Sequence, residues 1–184
     1  MTIKRYSMDR HQQNRYRGHM NRVNGAFFEY IIEGGCQYYR NMGIADIEKT
    51  PEPMRPIKDM GGGKFLAYFQ KAAQPDFKGI LKGGKAVLFE AKHTDTVKMD
   101  KTRVTSEQTQ RLANAVKLGA EAFVLCSFGE SGLFYRVPWV VWTDMKNLFG
   151  RKYVTAEDLK EYRIKIGGPG VLMFLDGLKW EDSP

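Results

Sequence analysis

The first strong pattern of apolar positions along the chain is helical. Four apolar residues after Asn24 are spaced along one side of a helix: Phe27, Phe28, Ile31 and Ile32. Asn24 is a suitable N-cap, and Gly34-Gly35 predicts that the helix stops at about Glu33. Glu29 falls beside the apolar stripe, so it is either a functional carboxylate or a boundary residue whose charge lies in water.

The next segment combines the alternation of strands with the residues of turns. Residues 44–58 alternate loosely and collect three prolines, and the run Gly61-Gly62-Gly63 follows. Alternation resumes from Phe65 to Phe69, which predicts a returning strand. Residues 50–64 are therefore expected to form a projecting loop or ribbon. Residues 74–79 have the composition of a turn.

Three further elements have clear local signals. Residues 85–92 predict a strand that is entered through Gly83-Gly84. A helix should follow to Leu118, capped by Thr105 or Ser106, with Gln108 at the capping-box position. The continuous apolar run 122–128 is typical of a strand that is covered on both faces.

The remaining segments complete the expected architecture. Residues 133–141 predict a strand broken at Pro138, residues 155–158 predict the start of a short helix, and residues 170–176 fit a strand or a helix. No internal repeat or second domain boundary is present, so residues 23–184 are expected to be one domain. The order of elements predicts an α/β fold with a mixed central sheet flanked by helices.

Composition narrows the class of protein. The chain has 184 residues, of which 42% are hydrophobic and 27% are charged, as expected for one globular domain. The longest apolar runs are far shorter than the roughly 20 residues that cross a bilayer, so no membrane segment is expected. Cys36 and Cys126 lie in no metal-binding pattern, and a reducing, cytoplasmic setting is expected.

Basic residues are concentrated at the start of the chain. The formal net charge is +8, and residues 1–25 contain six Lys or Arg against Asp9 alone. We expect residues 1–22 to form a flexible basic arm. This arm either contacts nucleic acid through Arg15, Arg17 and Arg22 or serves only to keep the protein in solution.

The candidate chemistry lies between Asp76 and Lys92. Side chains of a strand alternate between its faces, so Glu90 and Lys92 share one face and Ala91 lies on the other. Asp76 and Glu90 would supply oxygen ligands to Mg²⁺ or Mn²⁺, and Lys92 would stabilise a charged transition state at a phosphate. The alternative is a cross-strand ion pair on a solvated face.

Gln108 is the third polar group of interest. It lies on the inward stripe of its predicted helix, one turn before Leu112. A glutamine there indicates either a polar site on the facing sheet or a first-turn residue that satisfies the helix N-terminus.

Several short motifs occur in a specific order between residues 22 and 128. They are Asn24-Gly25 with Phe28-Glu29, Ile47-x-Lys49-Thr50-Pro51, Asp76-Phe77-x-Gly79, and Phe89-Glu90-Ala91-Lys92-x-Thr94. In this order they resemble the RecU-type Holliday junction resolvases, once described as penicillin-binding-protein-related factor A. The resemblance implies a restriction-endonuclease-like PD-(D/E)xK nuclease fold, with residues 50–64 as a stalk that projects toward the junction centre. It also implies a homodimer that makes Mg²⁺-dependent paired nicks in four-way junctions during recombination and repair.

The resemblance also assigns roles to single residues. Asp76 and Glu90 match the metal-binding acids, Lys92 matches the transition-state lysine, and Glu29 matches the acid on the first helix. Gln108 matches a metal-shell glutamine, although the histidine before it in the family is Glu107 here. Gln74 stands where the family has a hydroxyl ligand, and its amide oxygen is the expected replacement. These departures indicate a divergent member of the family, from a bacterium or its phage.

The expected partners follow from the same resemblance. They are four-way or branched DNA, a second copy of the chain, and a recombinase or branch-migration helicase in the bacterial cytoplasm. Stalk residues Arg55, Lys58 and Lys64 would hold phosphates without identifying the base sequence. Two alternatives remain, namely a nuclease of this fold for other branched or duplex DNA, and a non-catalytic junction-binding protein with vestigial acids.

Overall fold

A computed structural model of the protein describes residues 10–69, 74–129, 132–168 and 170–179, with side chains from residue 18 onward. The strands are β1 (Ala45–Lys49), β2 (Met54–Gly61), β3 (Lys64–Phe69), β4 (Phe77–Leu81), β5 (Ala86–Thr94), β6 (Met99–Asp100), β7 (Glu121–Phe128), β8 (Leu133–Pro138) and β9 (Tyr153–Val154). The helices are α1 (Arg10–Asn41), α2 (Ser106–Lys117), α3 (Trp139–Thr143) and α4 (Met145–Phe149), with 3₁₀ turns at Lys101–Arg103 and Lys160–Tyr162.

Five strands form the central sheet, in the order β1-β4-β5-β7-β8. β5 and β7 are parallel, and the other neighbours are antiparallel. α1 covers one face of the sheet, and α2 and α3 cover the other. The predicted α/β class with a mixed central sheet and flanking helices is therefore confirmed.

The core on the α1 side is built around an aromatic stack on the sheet. The Phe89 ring stacks on Phe77 and on Phe123, with centroids 4.9 and 4.7 Å apart. Phe174 from the C-terminal segment closes this group, with its ring centroid 5.4 Å from that of Phe89. Because strand side chains alternate, burying Phe89 toward α1 directs Glu90 and Lys92 toward α2.

Helix α1 is longer than the predicted helix from Asn24 to Glu33. Gly34-Gly35 does not end it, because the apolar stripe continues through Cys36 and Tyr39, which are both buried. Gly35 has a packing role, since a Cβ there would lie 2.8 Å from Cε1 of Phe174.

The N-terminal part of α1 differs from the flexible arm that the sequence predicts for residues 1–22. The backbone is helical from Arg10 onward. Residues 1–9 lie outside the described part of the chain. No helix of the described residues is both long enough and apolar enough to span a membrane.

Strands β2 and β3 form a separate two-stranded hairpin. Every residue of the hairpin strands is exposed except Ala67, which is half-buried. The hairpin occupies the segment where the sequence predicts a loop or ribbon, and the predicted returning strand at residues 65–69 is confirmed as β3. Gly62 and Gly63 both have positive φ angles, 60° and 76°, as a tight hairpin turn requires.

The two faces of the hairpin differ in chemistry. Cross-strand partners of an antiparallel pair lie on the same face. The pairing register shifts between Pro56 and Lys58, so Arg55 and Lys58 lie on the same face although they are three positions apart. The basic face carries the pairs Arg55–Tyr68, Lys58–Leu66 and Gly61–Lys64, and the apolar face carries Met54–Phe69, Pro56–Ala67 and Asp59–Phe65.

Four predicted segments differ from the structure in their bounds or in their type. The predicted turn 74–79 is shorter, because β4 begins at Phe77. The predicted strand 133–141 ends at Pro138, where α3 begins so that Trp139 and Trp142 are buried at helical spacing. Residues 155–158 form turns rather than a helix, and residues 170–176 form turns with a single bridge between Ile166 and Leu172.

Candidate active site

Strands β4 and β5 bring the predicted acids and lysine together. Asp76 directly precedes β4, whose first residue Phe77 pairs with Phe89 of β5. This register places Asp76 beside the segment that carries Glu90 and Lys92. The Asp76 carboxylate is held there because its Oδ2 accepts a hydrogen bond of 2.9 Å from the backbone N–H of Ala91.

The ammonium group of Lys92 connects the two carboxylates. Its Nζ lies 2.8 Å from Oδ2 of Asp76 and 2.7 Å from Oε2 of Glu90. Glu90 is completely buried, and the side chain of Lys92 is only 14% exposed. The predicted solvated ion pair is therefore the wrong alternative, since these charges are largely removed from water.

Burial and the neighbouring charges together set the pKa values of this cluster. Burial raises the pKa of Glu90 to about 8, although Lys92 works in the opposite direction. Burial also opposes the charge on Lys92, but Asp76 and Glu90 outweigh it and raise the pKa of the ammonium group. Without a bound metal, the cluster thus pairs a positively charged lysine with a glutamic acid that loses its proton at a higher pH than usual.

Gln108 holds Glu90 from the α2 side. Its Nε2 donates a hydrogen bond of 2.6 Å to Oε2 of Glu90, and its Oε1 accepts one of 3.1 Å from the backbone N–H of Thr105. Thr105 accepts in return from the backbone N–H of Gln108, so the predicted capping box is present. Gln108 therefore fits both interpretations, because it takes part in the cap at the helix N-terminus and also faces the polar site on the sheet.

The donor set fits a hard divalent cation. Oε1 of Glu90 is buried and has no hydrogen-bond partner, while Lys92 and Gln108 both donate to Oε2. A buried oxygen without a partner is costly unless a proton or a cation satisfies it. Among the described residues, no three or more Asp, Glu, His or Cys side chains form a metal-binding group. One or two carboxylates completed by water and phosphate oxygens are common for Mg²⁺.

The structure places two predicted site residues in other contacts. Oε2 of Glu29 lies 2.8 Å from Nζ of Lys49, which also contacts Glu33 at 3.3 Å. The amide oxygen of Gln74 accepts a hydrogen bond of 2.9 Å from Lys78, and Gln74 is exposed. Glu29 nevertheless lies at the cluster end of the sheet, because Lys49 pairs with Phe77, the residue after Asp76.

The predicted DNA-binding residues fall on two elements. Arg55, Lys58 and Lys64 are exposed on the basic face of the hairpin. Arg22 is exposed on α1. The backbone of Arg15 and Arg17 also lies in α1, and their side chains lie outside the described part of the chain.

A polar network that the sequence does not indicate ties α1 to the end of β5. His93 shares hydrogen bonds with Ser127 Oγ (3.1 Å) and with Asp95 Oδ1 (2.8 Å). Asn24 donates to the same oxygen of Asp95 at 2.9 Å. Asn24 and Asp95 are 71 positions apart, so no local pattern could reveal the contact. Asn24 lies inside α1 and is not the predicted N-cap.

Comparison with known proteins identifies relatives of the chain. Residues 23–179 match the family described as RecU, recombination protein U. The Holliday junction resolvase RecU of Streptococcus equi subsp. zooepidemicus strain MGCS10565 is 28% identical over 92% of this chain and 87% of its own. The Holliday junction resolvase RecU of Geobacillus kaustophilus is 26% identical over 75% of this chain and 73% of its own.

One solved structure gives a more distant similarity. Hjc of Archaeoglobus fulgidus, described as a Holliday junction resolvase from an archaeal hyperthermophile, has a TM-score of 0.43 at 12% identity. The match covers 81% of this chain and 96% of Hjc. The family match covers most of the chain and includes every element of the central sheet. The chain therefore belongs to the RecU family.

Proposed function

We propose that this chain is a divalent-metal-dependent endonuclease that cuts four-way DNA junctions by paired nicks in recombination and repair. The observation that carries this proposal is the Asp76–Glu90–Lys92 cluster, in which Glu90 is buried and its Oε1 has no hydrogen-bond partner. Membership of the RecU family, whose relatives are named Holliday junction resolvases, supports the choice of substrate.

Each residue of the cluster would have a separate role in the reaction. Asp76 and Glu90 would hold Mg²⁺, or Mn²⁺ in its place. When bound, such an ion supplies positive charge to the scissile phosphate and lowers the pKa of a water ligand. Lys92 contributes a second positive charge toward the phosphate oxygens, whose negative charge is concentrated in the transition state. Gln108 keeps Glu90 in place through the capping box, so it acts as a positioning residue.

The geometry of the substrate supports a homodimer. A four-way junction has two-fold symmetry and needs two cuts, so two symmetry-related copies of the cluster match it. The basic face of the hairpin and the exposed Arg22 would hold the backbone of the arms. We place this activity in the bacterial cytoplasm, with a recombinase or a branch-migration helicase as the class of protein partner.

The test is cleavage of a synthetic four-way junction in the presence of Mg²⁺, beside a flap and a linear duplex of the same sequence. We expect paired nicks in the junction and a loss of rate of about 100-fold or more in Asp76→Asn. Junction binding in EDTA should change little. Glu121→Gln is the matched control, because it neutralises a carboxylate that forms an ion pair of similar length, 3.0 Å, with Lys85 away from the cluster.

Two results would contradict the proposal. One is a wild-type protein that binds the junction but leaves it intact with Mg²⁺. The other is equal cleavage by Asp76→Asn and the wild type. Faster cleavage of the flap or the duplex would instead support the alternative substrate class.

A further inference from the structure

A cavity of about 200 Å³ lies between α1 and the ends of β5 and β7, on the face of the sheet opposite the acid–lysine cluster. Phe27, Phe28 and Phe134 supply aromatic walls, and the rings of Phe28 and Phe134 stack at 5.4 Å. Polar atoms come from Asn24, His93 and Ser127. The cavity therefore combines flat apolar walls with a polar edge.

The cavity lies at the same end of the sheet as the cluster. β5 continues past Lys92 through His93 to Thr94, and His93 and Lys92 lie on opposite faces. Ser127 is the partner of His93 on β7 in the parallel register. DNA held at the cluster would thus lie next to the end of the strand that also carries a wall of the cavity.

The polar edge is held by hydrogen bonds and keeps free hydrogen-bonding capacity. The His93 ring is fixed between Ser127 and Asp95, and Asn24 is fixed by its bond to Asp95. The carbonyl oxygen of the Asn24 amide accepts no hydrogen bond from the described residues. Such an edge can orient a ring that carries its own donors and acceptors.

The volume and the lining of the cavity indicate the class of ligand that it would bind. The cavity is smaller than the roughly 300–1,000 Å³ of sites for drug-sized molecules, and it suits one flat ring system. Aromatic walls stack well on any nucleobase, and hydrogen-bonding groups at the edge recognise its polar rim. Phe27 is 61% exposed, so the cavity is open at the side where a base could enter.

We propose that this cavity receives one unstacked nucleobase of the bound DNA. The inference rests on the proposed function, because it takes the substrate to be a branched DNA. In an open junction, bases at the exchange point lack a stacking neighbour on one side, so they cost less energy to unstack than bases inside an arm. Cavity and cluster together would hold a strand at two points, one at a base and one at a phosphate.

The experiment is a double-mutant cycle between protein and DNA, measured as junction affinity in EDTA so that no cleavage occurs. One junction is intact, and a series of others each lacks one base at a position next to the exchange point. The protein variants are wild type, Phe27→Ala and Tyr30→Ala. Tyr30 is the matched control, because it is an exposed aromatic residue of α1 (71%) that does not line the cavity.

At one position, we expect removal of the base to weaken binding of the wild type by about 5- to 150-fold, the range for a stacked base. Phe27→Ala should bind intact and abasic junctions equally, because its stacking wall is gone. Tyr30→Ala should behave as the wild type, and Phe27→Trp should restore the difference.

Other results would overturn the inference. It fails if no abasic position weakens wild-type binding, or if the penalty is the same in Phe27→Ala. It also fails if Phe27→Ala changes the oligomeric state, because the cavity then holds a residue of a second copy. A wild type that binds the junction no better than a duplex contradicts the proposed function itself, so the two failures are distinguishable.

Discussion

The Asp76–Glu90–Lys92 cluster and the β2–β3 hairpin obtain their structure in opposite ways. The cluster is centred on the buried Glu90, and its charges are held in place by each other, by Gln108 and by the backbone of Ala91. The hairpin has no buried residue and is held by pairing between its own strands. Burial gives the cluster shifted protonation and fixed geometry, which bond cleavage needs. Exposure leaves the hairpin free to present charge and apolar surface to a large ligand.

Because the charges of the cluster are largely shielded from water, removal of one of them should lower the free energy of unfolding strongly. Lys92→Met should lower the free energy of unfolding at pH 8 by about 3–5 kcal/mol, because Asp76 and Glu90 would face each other without a cation. Lys85→Met should cost less than about 1 kcal/mol, since its ion pair is more exposed. Urea denaturation measures both values. Equal costs for the two variants would show that burial does not distinguish these ion pairs.

Charge removed from the hairpin should affect binding and leave folding unchanged. In the triple variant Arg55→Ala, Lys58→Ala and Lys64→Ala, the slope of log affinity against log salt should decrease in size by about 2–3, since each lost phosphate contact contributes about 0.7–0.9. Stability should stay within about 0.5 kcal/mol. The control is Phe65→Ala with Phe69→Ala on the apolar face. An equal change of slope in both variants would show that the two faces do not differ in function.

Protonation of Glu90 gives a second way to test the cluster. Its native pKa of about 8 lies above its usual value of 4.5. Without metal, its contribution to stability is therefore greatest below pH 4.5 and declines as the pH rises to 8. Metal binding must displace this proton, so affinity for Mg²⁺ should rise by up to about tenfold per pH unit below pH 8.

Calorimetric titration of the metal between pH 6 and pH 9 measures this dependence without any substrate. Glu90→Gln has no carboxyl proton to displace, so its weaker binding should be independent of pH in that range. A wild-type affinity that is also independent of pH would contradict a metal-binding Glu90 with a pKa of about 8.

The smallest expected effect concerns the packing that supports β5. Gly35→Ala should lower the free energy of unfolding by about 1–3 kcal/mol, because its Cβ would lie 2.8 Å from the Phe174 ring. Gly34→Ala should raise stability by about 0.5–1 kcal/mol, since a Cβ there meets nothing within 4 Å. Thermal unfolding of the two variants provides the measurement. The two substitutions, at neighbouring glycines of α1, should therefore change the free energy of unfolding in opposite directions.

Local signals in the sequence predict much of this structure. Glu90 and Lys92 share a face because strand side chains alternate, and the Thr105–Gln108 capping box marks the start of α2. The glycine run marks the hairpin turn. Each of these features depends on residues that are close in sequence, and the structure contains all of them.

Contacts between distant segments could not be predicted in the same way. Gly34-Gly35 stops an isolated helix, but Phe174, more than 130 residues away, packs against Gly35 and favours a continuous α1. The apolar spacing of Phe28, Ile32, Cys36 and Tyr39 is the signal that could have revealed the longer helix. The contact of Asn24 with Asp95 has no such signal, because only the tertiary fold brings these residues together.

Closure of the core by residues 172–175 has a consequence for synthesis of the chain. Leu172 and Phe174 cover Gly35, and the backbone N–H of Leu175 donates to the Tyr39 hydroxyl at 2.9 Å. Chains emerge from the ribosome with the N-terminus first, so β5 leaves long before the segment that covers its α1 side. A nascent chain therefore carries the acids and the lysine of the cluster on an incompletely packed sheet. We expect the α1 side of β5 to be fully packed only after residues 172–175 have left the ribosome.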